Sequence, residues 1–449
     1  DFYQKYLLLA IPMILQNAIT NLVSFLDNIM VGQLGTEQMS GVAIVNQLIF
    51  VYNLAIFGAV SAASIFGAQY FGKGNHKGHM YSFRFKLYAT LLVTGGAILL
   101  FLTKGSALIS LYLTDTVGNG ATDLALQYGL EYLAIMMVGL IPFAVNQSYA
   151  TNIKETGQTF IPMLASFVAV GTNAILDYLM IFGIGPFPEL GVQGAALATV
   201  IARYIEALIV VIWAHIHRGK NRYLEGAYTG FGIPLAELKA ILIKGFPLMM
   251  NEVLWAAGMT TVTQCYSVRG LNVVAGLNIA STITNLFNIV YLQLGSCISI
   301  VVGQYLGAGK LEDAKDADNK MIVFSVFCCV IMAALMFVVG GFFPGIYNTT
   351  EEIRELATSF IAVSAIIMPS CAFSHASYFT LRSGGKTVVT FLFDSVFTWV
   401  IVVPAAYLLA HFTGLGIVSI YFLVQGTELI KVIIGYLMVK SNVWVVQMV

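Results

Sequence analysis

Uncharged stretches long enough to cross a bilayer recur from end to end of this chain, and that pattern excludes most folds. Gly41 to Gly72, Leu87 to Thr103, Leu271 to Gly309 and Met321 to Thr350 contain no Asp, Glu, Lys or Arg, and Thr156 to Phe187 contains only Asp177. A bilayer core needs ~20 residues of helix. With 58% hydrophobic and 10% charged residues, the chain falls far below the roughly 25% charge of an ordinary soluble domain. The expectation is an all-α integral membrane protein whose longer helices tilt and project into water.

Tracts and breaks predict twelve transmembrane helices, with cores at 6-30, 41-72, 84-104, 125-152, 157-184, 190-216, 235-267, 272-306, 320-343, 355-380, 387-410 and 414-439. Basic residues gather at the even-numbered connections: Lys73, Lys77, Arg84, Lys86, Lys154, Arg218, Lys220, Arg222, Lys239, Lys244, Lys310, Lys315, Lys320, Arg382 and Lys386. The odd ones hold Lys104, Arg269 and Arg354. The even loops, and both termini with them, are therefore expected in the cytoplasm, the whole lying in the plasma membrane. No cleavable signal peptide is expected, because the first apolar run lacks a small-residue cleavage site. The formal charge of zero argues against a nucleic-acid partner. Five cysteines without CxxC spacing read as packing residues, not as a disulfide frame or metal site.

The chain repeats itself. A shift of 235 positions lays Pro12 on Pro247, Gly35 on Gly270, Gly41 on Gly276, Gln69 on Gln304, Tyr70 on Tyr305, Gly72 on Gly307 and Gly74 on Gly309. Later, KETGQT at 154-159 matches RSGGKT at 382-387 at a shift of 228. Six crossings return the chain to its starting side, so two six-helix bundles related by an axis along the membrane normal are expected, with a substrate cleft between them. The divisions are an N-lobe at 1-216, a cytoplasmic linker at 217-234 and a C-lobe at 235-449.

The polar groups inside these spans are the functional candidates. Asp27 is the single charge between Tyr6 and Thr36, and a carboxylate at the centre of a spanning helix costs at least ~2.5 kcal/mol unless it has a partner, a proton or a role. The alternative is an exposed turn that Asp27 caps. By depth, Asp27, Asn173, Asp177 and Thr199 come from three helices to one level, the outer half of the N-lobe. Oxygen ligands suit a hard cation, and neighbouring carboxylates raise each other's proton affinity, so the cluster suits Na+ or a proton. A static hydrogen-bonded network is the other account. Arg203 and Glu206, three apart on the sixth helix, have the spacing of a structural ion pair. Asn17, Glu252, Met249, Tyr291, His375 and Tyr378 are candidate lining for a substrate cavity, with Asp394 and Glu428 as further polar groups of the second half. No HExxH, nucleophile elbow or metal cluster points to an enzyme.

These features resemble the MATE (multidrug and toxic compound extrusion) transporters. The resemblance is carried by FLDNIMVGQLG at 25-35, GAQYFGKG at 67-74, GTNAILDYLMIFGIG at 171-185, LGVQGAALAT at 190-199, GFPLMMNE at 245-252 and VGQYLGAG at 302-309. It implies two six-helix bundles in a V, acting by alternating access as an antiporter, with H+ or Na+ as coupling ion and no cofactor. The cargo would be amphipathic organic cations, the partners those cations and the lipid bilayer, and the state monomeric. Asp27, Asn173, Asp177 and Thr199 match the N-lobe cation site of the DinF-like branch. Cys371 stands near the carboxylate expected on the tenth helix of the NorM-like branch, and Glu252 comes about one turn early, so no C-lobe Na+ site is expected. The rival function, a flippase for a lipid-linked saccharide or other lipid precursor, would need a basic cavity for pyrophosphate.

Overall fold

The computed structural model describes residues 1–113 and 120–449. Among them, twelve helices are long and apolar enough to cross a membrane. They are α1 (Phe2–Gly32), α2 (Thr36–Lys73), α3 (His76–Ser110), α4 (Ala121–Glu155), α5 (Phe160–Phe182), α6 (Val192–Ile216), α7 (Leu235–Ser267), α8 (Leu271–Gly307), α9 (Leu311–Phe342), α10 (Glu351–Ser383), α11 (Thr387–Phe412) and α12 (Ile417–Lys440). The number and order agree with the hydropathy pattern. The ends extend further, because polar residues such as Glu37, His76, Glu312 and Glu351 continue the helices beyond their apolar cores. Bulky apolar side chains point outward along the spans, among them Leu92, Leu102, Val323, Phe327 and Phe412, as befits a protein whose solvent is lipid.

The residues pack into two compact units. One consists of Ile11–Gly67 and His76–Leu238, the other of Asp1–Ala10, Ala68–Asn75 and Lys239–Val449. This differs from divisions at 216 and 235. Tyr6 Oη donates to the Leu294 carbonyl at 2.9 Å, and Gln69 Nε2 donates to the carbonyls of Ser383 and Val446 at 3.0 and 3.1 Å. Side-chain contacts therefore assign these two short segments to the unit that contains the second half.

The 217-234 segment packs on the first unit. Tyr223, Leu224 and Ala227 are buried against Phe83, Tyr149 and Ile153. Arg84 clasps the segment: its Nε donates to the Ala227 carbonyl at 2.9 Å, Nη1 to Gly232 and Nη2 to Gly226, both at 2.7 Å. Lys86, which the loop-charge pattern treats as a connection residue, is fully buried in α3. It pairs with Glu155 and donates to Asn152 Oδ1 at 2.7 Å, while His79 contacts the other Glu155 oxygen at 2.9 Å. A buried cation with two partners ties α3 to α4.

The repeated QYxG motifs, Gln69 to Gly72 and Gln304 to Gly307, have a packing role within the second unit. A Cβ at Gly72 would collide with the Gln304 carbonyl, and one at Gly307 would collide with the Gln69 carbonyl. Gln69 and Gln304 are repeat partners, as are Gly72 and Gly307. The two backbones thus cross reciprocally at bare glycines, a contact only a missing side chain allows.

The cores follow from the same rule. In the first unit, Val45, Ile49, Tyr52 and Ile56 of α2 pack on Tyr132, Leu133 and Met136 of α4. In the second, Ala280, Ile283 and Phe287 of α8 pack on Phe360, Ile361 and Ala365 of α10. One departure is local. Wide π turns occupy Leu392–Val396 and Thr398–Val402 inside α11, and such turns concentrate at functional positions.

Candidate functional site

Asn173 and Asp177 lie one turn apart on the buried face of α5. Helix α5 ends at Phe182 on Gly183, which takes the left-handed backbone a Cβ would strain, and α6 starts at Val192. So short a connection makes the two helices antiparallel neighbours. Asp177 stands five residues before one end and Thr199 seven after the other start, which brings them level. Asp27, five residues before the end of α1, completes the set.

The four side chains meet. With its nitrogen turned to the acids, the Asn173 amide donates to both Asp27 oxygens at 3.1 Å and to Asp177 Oδ2 at 3.3 Å. Its oxygen then accepts from the Thr199 hydroxyl and backbone N–H at 3.3 Å. The Asp27 and Asp177 carboxyls come within hydrogen-bonding reach of each other. Asn173 and Asp177 are buried, and Asp27 and Thr199 half-buried. Asp177 Oδ1 is buried without a partner.

This cluster borders a cavity of about 310 Å³, lined also by Asn46, Asn53, Tyr132 and Arg203. Tyr132 Oη donates to Asn46 Oδ1 at 3.2 Å. Sequence reasoning overlooked Asn46 and Asn53. They are seven apart in α2 and so share one face, which was the available signal.

Arg203 and Glu206 do not form the direct ion pair expected of them. Arg203 approaches the Gly139 carbonyl at 3.5 Å and lies over the Phe143 ring at 5.0 Å, whereas Glu206 accepts from Ser166 Oγ at 2.6 Å. Three-residue spacing puts two side chains on one helix face, but neighbouring helices offered each a nearer partner.

In the second unit, Asn251 of α7 links three helices. Its Nδ2 donates to Asp394 Oδ2 at 3.0 Å and to Tyr378 Oη at 3.4 Å, and its Oδ1 accepts from Ser395 Oγ at 2.7 Å. Lys431 of α12 donates to the other Asp394 oxygen at 2.7 Å. Asp394 lies in the first π turn of α11. His375 lies tilted against Tyr291 with ring centroids 4.7 Å apart, and its Nδ1 meets the Cys371 carbonyl at 2.9 Å. Of the residues expected to line a substrate cavity, Tyr291 and Tyr378 are thus buried in one polar neighbourhood with His375. Glu252 is half-buried and Met249 is exposed. Asn17 lies in the first unit and donates back to the Met13 carbonyl at 2.9 Å. Asn251 and Lys431 had not been singled out. The signal was there, since a lysine inside an apolar helix must have a partner.

The family profile described as MatE matches residues 12–179 and 247–408. Among curated relatives, the probable multidrug resistance protein NorM of Thermotoga maritima is 23% identical over 421 residues, 93% of this chain and 88% of that protein. The protein of the same description from Halalkalibacterium halodurans is 24% identical over 413 residues, 92% of this chain and 88% of the relative. A solved structure described as the outward-facing conformation of a multidrug resistance MATE family transporter of the MOP superfamily matches with a TM-score of 0.87 at 20% identity, covering 98% of this chain and 96% of its own. A structure of MATE in the bent conformation matches at 0.86 and 21% identity, covering 98% and 95%. At such identity these structures speak for the fold, which is that of a twelve-helix membrane transporter.

Proposed function

This chain belongs to the MatE family of membrane transporters, and on that premise we propose that it is a secondary antiporter exporting amphipathic organic cations in exchange for H+ or Na+. The observation that carries the coupling role is the meeting of Asp27, Asn173, Asp177 and Thr199 beside a cavity. Two carboxyls that close, away from water, cannot both stay charged without a positive ion between or upon them. Loading that ion favours one arrangement of the first unit and unloading the other, so its differential affinity biases the transport cycle. Pro12 interrupts the α1 hydrogen-bond ladder and is the natural hinge for α1 to repack as cargo leaves.

The finer assignments rest on the same residues. A complete oxygen cluster in the first unit and Cys371 in place of a tenth-helix acid support the DinF-like branch, although the curated relatives carry the name NorM. The basic even-numbered connections support cytoplasmic termini in the plasma membrane. A monomer is the simplest state for a fold that carries two halves in one chain. A polyanion flippase is not favoured: of the buried bases of the second unit, Lys431 is neutralised by Asp394 and Arg382 lies over the Phe379 ring.

Efflux of ethidium from vesicles under separately imposed Na+ and pH gradients tests this reading. Wild type is expected to respond to one gradient, with Asp27→Asn and Asp177→Asn losing the response. Gradient-driven efflux unchanged in both variants would overturn the coupling role.

A further inference from the structure

A further carboxyl of the first unit, that of Glu206, stands apart from the Asp27 cluster. Gln16 Nε2 of α1 donates to Ser166 Oγ of α5 at 2.7 Å, and Ser166 Oγ donates to Glu206 Oε1 of α6 at 2.6 Å. Asn146 of α4 also reaches this carboxyl. Four helices converge on Glu206 midway along a spanning helix, and among the described residues it forms no ion pair. Two acceptors beside it are buried without a donor, Gln16 Oε1 and Asn146 Oδ1, and Asn146 is only 4% exposed.

The repeat shows what is missing. A shift of 235 lays Gln16 on Asn251, and a shift of 228 lays Ser166 on Asp394 and Arg203 on Lys431. In the second unit those positions form a closed set, in which Asp394 is held by Asn251 and neutralised by Lys431. In the first unit the carboxyl has moved from α5 to α6, and the base at the matching position has turned toward Gly139 and Phe143. One half carries its cation covalently. The other must borrow one.

We infer that Glu206 is an exchangeable proton-binding site, with Ser166, Asn146 and Gln16 as its shell. A proton from water on the free carboxyl oxygen removes the charge of this half-buried group and supplies the donor that Asn146 Oδ1 or Gln16 Oε1 lacks; it returns to water when the site opens. A metal ion fits less well, because the direct 2.6 Å contact between Ser166 Oγ and Glu206 leaves no gap for one. The charged groups facing the site are Arg203 on the same helix and Lys154 on α4. The site lies eleven residues from Asp177 along α5, roughly 16 Å by helical rise, so the two can be loaded separately. Gln16 follows Pro12 by one turn, so the state of Glu206 reaches α1 where its ladder is already broken.

The test is infrared difference spectroscopy of the full chain in bilayers across a pH step, which needs no transport and so stands or falls independently of the antiport reading. Wild type is expected to show a protonated-carboxyl band that Glu206→Gln lacks and Asp27→Asn retains, with about one fewer proton released per chain by Glu206→Gln. Asn146→Leu and Ser166→Ala, which keep the carboxyl, are expected to shift that band, and they serve if Glu206→Gln fails to fold. Identical carboxyl bands in wild type and Glu206→Gln would overturn the inference. So would loss of the band on adding Na+ at constant pH, which would make the ligand a metal ion.

Discussion

Asn173 lies 3.1 Å from both carboxylate oxygens of Asp27 while its own helix presents Asp177 one turn away. A single amide therefore holds two acids from different helices in one site. A donor to a charged group contributes ~1.5–3 kcal/mol, so Asn173→Ala is expected to shift the midpoint of ion activation by roughly tenfold or more. The measurement is the ion concentration or pH giving half-maximal efflux. An unchanged midpoint would mean that Asn173 does not position the acids.

Lys431 is buried and its partner Asp394 half-buried, and removing one partner leaves a bare charge. Lys431→Met is expected to cost ~3–5 kcal/mol and to lower the unfolding temperature in detergent. The double variant Lys431→Met with Asp394→Asn should recover most of that loss, since neither charge then remains. Equal destabilisation by single and double variants would show that the pair does not act as a unit.

The reciprocal glycine crossing gives a packing test. Overfilling a tight contact costs typically ~1–3 kcal/mol, so Gly72→Ala and Gly307→Ala should each reduce thermal stability. Gly95→Ala, at a position where a Cβ meets open space, should not. If all three behave alike, the crossing is looser than described.

Arg84 satisfies three carbonyls of the segment after α6 with one planar guanidinium. A lysine keeps the charge but not the fork. Arg84→Lys should therefore release residues 226-232, read as faster limited proteolysis within that segment while the spans stay protected. Cleavage at the wild-type rate would count against the clasp.

Much of this was legible in the residues themselves. Uncharged tracts locate α2 and α8 because burial in lipid forbids bare charge over a span. The matched Pro12 and Pro247, and the QYxG glycines Gly72 and Gly307, disclose the repeat because backbone constraints leave fixed letters. Asp27, Asn173, Asp177 and Thr199 could be brought together from depth alone, since helical rise converts position in the chain into height. Arg203 and Glu206 could not be treated that way. Both are level with several helices, and which neighbour each takes depends on how those helices are turned.

The sequence by itself determined that this chain lives in a bilayer, crosses it twelve times, doubles one six-helix plan and places an oxygen cluster at one level of its first half. Tertiary structure alone decided that Lys431 finds Asp394, that Glu206 turns to Ser166 instead of Arg203, and that residues 1–10 and 68–75 pack with the second unit. The reason is geometric. Hydropathy fixes where a residue sits along a helix axis, but its direction around that axis follows from packing. In α11, each residue that a wide turn adds swings the face beyond it by about 100°, a rotation that its run of apolar letters does not record.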